Sequence, residues 1–256
     1  MSDAQPITGL SPGQVAERVF LCGDPARVAR IAADWDEAEE VCQVREYRVV
    51  TGSCQGVRLT AASTGIGGPS TAVIVEELVK LGATTFVRVG NSGGLDPTLA
   101  LGDLVVTTGA VRDDGTSRSY VAPEYPAVAD HALVAALLAA AAERGTACRA
   151  GITWSLDAFY MRNAVMTPEG GMSSMSAFRY WTRGHAERIE EMRAARVLNC
   201  EMEAGTLLTL AGLFGVRAAA ICVVSDRTPW PGPAEIDLDR NMARCIEVAT
   251  AAMLRS

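Results

Sequence analysis

Lysine is almost missing from this sequence: of 23 basic residues only Lys80 is not an arginine. Genomic base composition is enough to produce such a skew, and arginine is also the side chain that grips phosphate bidentately. Histidine occurs twice, and aromatic residues make up 5% of the chain. No apolar run approaches the 18 or more residues of a membrane span, which excludes a helical membrane protein. The seven cysteines are odd in number, widely spaced and contain no Cys-x-x-Cys pair. A disulfide framework and a zinc knuckle are therefore disfavoured, no metal site is expected, and the cysteines read as small buried hydrophobes. There is no basic excess either. The formal net charge of −7 and a pI near 5.0 give no surface for nucleic acid or acidic lipid. Residues 1–6 lack a basic start followed by an apolar stretch, so a cytoplasmic location is expected. No repeat of 20 to 50 residues is visible.

What is present is an ordinary globular composition, 49% apolar and 21% charged over 256 residues. A chain of this size can bury one large core, and a single domain over 1–256 is expected. Continuous apolar, β-leaning runs occur at 18–23, 44–51, 57–63, 85–89, 103–111, 148–153 and 217–224, with a short one at 197–200. Helical spacing of apolar residues predicts helices at 26–33, 70–81, 128–143, 178–196, 202–214 and 236–254. Strands that are apolar throughout rather than alternating are buried on both faces. The fold class is therefore α/β, a central mixed, largely parallel sheet flanked by helices. The one long irregular stretch, 161–176, reads as a mobile flap near a site.

Gly90-Asn91-Ser92-Gly93-Gly94 has the Gly-x-Ser-x-Gly spacing of a nucleophile elbow, but a loop and a strand follow it where an elbow needs a helix. The same residues suit close approach of backbone N–H groups to an anion, or a plain tight turn. Gly65-Ile66-Gly67-Gly68 lacks both the dinucleotide spacing and a P-loop lysine. Arg88 sits inside the apolar run Thr-Phe-Val-Arg-Val and needs a buried anionic partner, either a ligand or a structural carboxylate. Asp226 follows the apolar strand 217–224, where ligands meet an open α/β sheet; capping of the next turn or pairing with Arg227 is the alternative.

Six segments, in order, resemble the nucleoside phosphorylase family of the hexameric purine nucleoside and uridine phosphorylase type: Gly23-Asp-Pro-Ala-Arg27, Ser63-Thr-Gly-Ile-Gly-Gly-Pro-Ser70, Arg88-Val-Gly90, Asp157-Ala-Phe-Tyr160, Glu201-Met-Glu203 and Val224-Ser-Asp-Arg227. The resemblance covers most of the chain. It implies phosphate-dependent cleavage of a nucleoside to free base and sugar 1-phosphate, with inorganic phosphate as co-substrate and no cofactor. It also implies a homo-oligomer, a hexamer built as a trimer of dimers. The chemistry asks for an anionic nucleophile on one side of the sugar and a proton donor on the other.

By the same resemblance Gly23, Arg27, Arg45, Arg88, Asn91 and Ser92 hold phosphate, with Arg45 reaching a neighbouring subunit's site. Glu203, Met202 and, less directly, Glu201 hold the ribose, although a carboxylate at a helix start also complements the helix dipole. Phe159 stacks on the base, Ser92, Gly93, Asn163 and Arg227 surround it, and Asp226 protonates a leaving purine, with Arg88 the other catalytic group. Asn163 and Val165 stand where the uridine enzymes carry a glutamine and an arginine that read uracil, which favours a purine preference. The stretch Pro123-Glu-Tyr-Pro-Ala-Val-Ala-Asp130 is closer to the uridine branch, so a uridine enzyme is the alternative. Asn91 replaces the family's threonine or serine, and the N-terminal histidine that meets the 5'-hydroxyl is absent, Ile7 or Thr8 lying nearest. A hydrolytic nucleosidase and a non-catalytic nucleoside-binding protein remain as further alternatives.

Overall fold

The computed structural model describes residues 4–231 and 236–255, so the first half of the 1–6 stretch lies outside the described residues. Its strands are β1 (Arg18–Cys22), β2 (Glu37–Val44), β3 (Tyr47–Cys54), β4 (Val57–Ser63), β5 (Thr85–Gly94), β6 (Leu104–Asp113), β7 (Ala127–Val128), β8 (Cys148–Leu156), β9 (Ala164–Met166), β10 (Met172–Ser174), β11 (Asn199–Glu201) and β12 (Arg217–Arg227). The helices are α1 (Pro25–Ile31), α2 (Gly68–Lys80), α3 (Gly115–Tyr120), α4 (His131–Glu143), α5 (Phe159–Arg162), α6 (His185–Ala194), α7 (Ala204–Phe214) and α8 (Met242–Arg255).

The apolar runs become the interior of one mixed sheet. The central strands β4, β1, β5 and β12 are neighbours and run parallel, as do β6, β8 and β11, while β12 meets β6 antiparallel. Phe86, Val87 and Val89 of β5 and Ala219 to Val224 of β12 are fully buried, covered by helices on both faces. The sheet is not simply open. Asn199 and Cys200 of β11 pair with Thr153 and Trp154 of β8 on one side and with Gly94 and Gly93 of β5 on the other. The strands β5, β12, β6, β8 and β11 thus close into a ring, and the C-terminal ends of several strands converge at one mouth.

Local chemistry explains the element starts. Asp24 caps α1, its carboxylate accepting from the Ala26 N–H, with Pro25 in the first turn. Asp130 caps α4 in the same way through Leu133. Several expected boundaries move. The run at 44–51 is split by a tight turn at Arg45 (φ 55°), and β2, which the sequence reading lacked, pairs with β3. Its residues, Glu-Ala-Glu-Glu-Val-Cys-Gln-Val, are mostly exposed because the strand lies at the sheet edge and is held by backbone pairing rather than apolar burial. The glycines after Val89 remain in β5 instead of forming a loop, so the elbow geometry does not arise.

The helix expected at 178–196 starts at His185, after Gly184 in the left-handed region, and only a short 3₁₀ turn covers Ala177–Arg179. The helix expected at 236–254 starts at Met242, after Asn241 at φ 57°. The 128–143 helix gives up Val128 to β7. Residues 161–176, expected to be irregular, carry the end of α5 and the β9–β10 hairpin, whose first strand is tied to Trp230 by backbone bonds from Trp230 N to Ala164 O and from Met166 N to Trp230 O, both 2.8 Å. Six of the seven cysteines are buried and all seven are free.

Candidate active site

At the mouth of the closed sheet lies a cavity of about 810 Å³. Its walls come from the β1–α1 turn (Gly23, Asp24, Arg27), the end of β5 (Arg88, Asn91, Ser92), α5 and the residue after it (Phe159, Asn163), the β11–α7 junction (Glu201, Met202, Glu203) and the end of β12 (Ser225, Asp226).

Arg88 is the electrostatic centre. Its Nε donates to Glu201 Oε2 at 3.0 Å and its Nη2 to Glu203 Oε2 at 2.5 Å, all three side chains being almost fully buried. Burial opposes the guanidinium charge, but the two carboxylates outweigh it and hold Arg88 above its ordinary pKa. Gly90 makes room for this arrangement: a Cβ there would lie 2.9 Å from Arg88 Cζ. The two glutamates differ in function within the fold. Glu201 accepts the N–H groups of Glu203 (2.8 Å) and Ala204 (2.9 and 3.0 Å) and so caps α7. Glu203 lies before the helix, with Oε1 accepting from the Gly67 N–H at 2.5 Å. The helix therefore begins at Ala204 rather than 202, and dipole capping falls to Glu201, leaving Glu203 to face the cavity. Burial raises the Glu203 pKa, and Arg88 offsets part of that rise.

Three buried polar atoms on the cavity wall have no protein partner among the described residues: Arg27 Nε, Arg88 Nη1 and Asn91 Oδ1. Arg27 makes one long bond, from Nη1 to Val89 O at 3.3 Å. Two buried guanidinium donors left open on one wall are costly unless an anion completes them. On the far side, burial raises the Asp226 pKa, while a 3.0 Å bond from the Ser225 hydroxyl opposes the rise. A bulge sets this side chain's direction. Val224 pairs with Ser92 and Asp226 with Gly93, so Ser225 is an extra residue in β12, and both Ser225 and Asp226 turn towards the cavity. Gly93 leaves space for the carboxylate, a Cβ there lying 3.1 Å from Asp226 Oδ2.

The family model described as the phosphorylase superfamily matches residues 17–255. The chain belongs to the phosphorylase superfamily. As a phosphorylase-superfamily chain it is 46% identical over 213 residues to a uridine phosphorylase of Thermococcus kodakarensis, covering 83% of this chain and 74% of that protein. It is 40% identical over 220 residues to a guanosine phosphorylase of Halorubrum lacusprofundi, covering 86% and 82%. To the uridine phosphorylase of Escherichia coli it is 35% identical over 243 residues, covering 94% and 93%.

Of the residues singled out in the sequence, this phosphorylase-superfamily fold brings Gly23, Arg27, Arg88, Asn91, Ser92, Phe159, Asn163, Glu201, Met202, Glu203 and Asp226 to one cavity, with Gly93 just behind Asp226. It does not bring Arg227, because after the bulge the next side chain points the other way and its guanidinium donates to Leu99 O at 3.0 Å. Arg45 is exposed on the β2–β3 turn and does not line the cavity of its own chain. Asn163 lines it with its amide already engaged: Oδ1 accepts from Thr228 Oγ1 at 2.5 Å and Nδ2 donates to Phe159 O at 2.8 Å. Sequence reasoning missed Ile236 and Leu238 at the mouth, whose signal was two apolar residues in a Pro- and Asp-rich stretch. It also missed Cys200 and Glu46, which nothing in their local sequence marks.

Proposed function

We propose that the chain is a nucleoside phosphorylase, a pentosyltransferase in which inorganic phosphate displaces the base from C1' of a nucleoside to give free base and (deoxy)ribose 1-phosphate. The observation that carries this reading is the pair of buried, unpartnered guanidinium donors of Arg27 and Arg88 on the wall shared with Glu203 and Asp226. Phosphate lies against Arg27 and Arg88, with the β1–α1 turn at Gly23 and the Asn91-Ser92 segment beside it. The ribose lies over Met202 with its hydroxyls on Glu203, which Arg88 and the Gly67 N–H hold in place. Glu201 anchors Arg88 rather than the sugar. The base lies against Phe159 and reaches Asp226, beside Gly93. As the glycosidic bond lengthens, positive charge on the sugar is met by phosphate and negative charge on the base by the Asp226 proton, which burial helps to retain. No cofactor beyond phosphate enters this scheme.

The named relatives favour uridine as the nucleoside over the purine preference expected from the sequence. A purine reading keeps one observation of its own, the buried carboxyl of Asp226, together with the guanosine phosphorylase relative. Arg45, exposed on the β2–β3 turn and not lining its own cavity, is assigned to the phosphate site of a second copy in a homo-oligomer of hexameric type. Among the described residues no helix is long and apolar enough to cross a membrane, and we place the enzyme in the cytoplasm. Release of base from uridine, guanosine and inosine, followed by absorbance with and without phosphate, tests the reading. Phosphate-dependent release is expected. Equal release without phosphate would establish a hydrolase, and nucleoside binding without any release would establish a binding protein.

A further inference from the structure

Asn163 occupies an unusual position for a residue on the wall of a nucleoside cavity. It is 3% exposed, and its amide joins two elements that are remote in sequence. Nδ2 donates to the carbonyl of Phe159, across the single turn of α5, and Oδ1 accepts from the hydroxyl of Thr228, two residues beyond Asp226. A carbonyl can meet only the NH₂ end of the amide, so the first bond fixes which end faces Thr228. Thr228 is equally buried, and its N–H donates to Gly94 O at the end of β5. A third element lies beside it: Cys200 Sγ and Thr228 Oγ1 both flank Gly93, a Cβ there lying 3.2 and 3.1 Å from them, and Cys200 directly precedes Glu201. Thr228, Asn163 and the Phe159 carbonyl therefore form a buried chain of hydrogen bonds. It links the end of β12 and the aromatic turn at α5, the two elements that carry Asp226 and Phe159.

We propose that Asn163 is a positioning residue rather than a base-reading one: with Thr228 it latches the turn bearing Phe159 to the strand end bearing Asp226. Neither partner needs to touch the base for this. The latch sets the separation between the aromatic face and the carboxyl group, and so acts on any base held between them. The proposal rests on the phosphorylase reading of the cavity and goes beyond it, because a residue that reads uracil and one that holds the walls apart respond differently to substitution. Backbone bonds between Ala164–Met166 and Trp230 continue the same seam, so the hairpin stays attached when the latch alone is cut.

The test uses wild type, N163A, T228V, the double variant and T228S, with steady-state constants for uridine, guanosine and phosphate and unfolding midpoints for all five. Thr228 does not line the cavity, so T228V cuts the latch without removing a group the base could touch. N163A and T228V are expected to raise the nucleoside KM by a similar factor, roughly tenfold, for both nucleosides, since each leaves a buried polar group unpaired. The phosphate KM should stay unchanged, the double variant should be no worse than the poorer single one, and T228S should restore the wild-type constants. A loss confined to one base in N163A with T228V behaving as wild type would show Asn163 reading the base and overturn the proposal. Multiplicative losses, or a phosphate KM that rises with the nucleoside KM, would overturn it too. If the wild type shows no phosphorolysis, the functional reading fails instead. The latch is then read from the unfolding midpoints, where non-additive shifts of N163A and T228V support it and additive shifts overturn it.

Discussion

Replacing Arg88 by alanine removes a cation in contact with two buried carboxylates at once, Glu201 at 3.0 Å and Glu203 at 2.5 Å. Breaking a buried ion pair from one side costs about 3–5 kcal/mol, because the partner is left charged without compensation. For a chain of this length that corresponds to a fall in unfolding midpoint of roughly 6–20 °C. The lower half is expected, since Glu201 keeps its bonds from the N–H groups of Glu203 and Ala204. The deficit carries a pH signature. Glu203 already has a raised pKa through burial, with Arg88 lowering it, so the variant raises it further. A carboxyl whose folded pKa lies above its unfolded value contributes stability that is complete below the ordinary glutamate range and lost as pH rises through the folded value. The gap between variant and wild type should therefore narrow towards acid pH and widen through neutrality. In activity, losing a preorganised donor to phosphate should lower kcat/KM for phosphate on the order of 10²–10³-fold. Calorimetric scans across pH and phosphate-dependent base release measure the two effects. A folded Arg88→Ala protein with wild-type phosphate dependence, or a stability gap that does not move with pH, would refute the argument.

Three further outcomes follow from the same geometry. Arg27 has no ion pair among the described residues, so Arg27→Ala should raise the phosphate KM at least about tenfold while costing only about 1 kcal/mol of stability; an unchanged phosphate KM would remove Arg27 from the anion site. Asp226→Asn should slow phosphorolysis of guanosine and inosine by on the order of 10²-fold but spare 7-methylguanosine, whose base leaves without protonation. Because burial raises Asp226, the wild-type rate on guanosine should fall as pH rises through that value, and the variant's profile should be flat there; equal losses on both substrates would make Asp226 a positioning group. Light scattering at assay concentration should find at least a dimer, and a fully active monomer would eliminate the shared role of Arg45.

The sequence by itself determined the α/β class, because strands such as Thr85–Val89 and Arg217–Val224 carry apolar residues on both faces rather than alternating, as strands inside a two-sided sheet do. It also determined that Arg88, set in one of those strands, had to meet a buried anion. Motif order carried the assignment of Arg27, Phe159, Glu203 and Asp226 to one cavity. Other features depended on distance in space. That Glu201 and Glu203, more than a hundred residues away, both close on Arg88 follows from β11 pairing with β5 and β8, a closure that a three-residue strand does not announce. Whether Asp226 or Arg227 faces the cavity follows from a bulge at Ser225, since one extra residue reverses every side chain beyond it. The family resemblance makes Asn163 a base contact, by its place shortly after the Phe-Tyr pair. Only the fold supplies Thr228, which holds that amide in place. Local patterns determine which segments are buried and in what form; the directions in which individual polar groups point are decided by pairings between segments far apart in the chain, because a strand's two faces differ by a single residue of register.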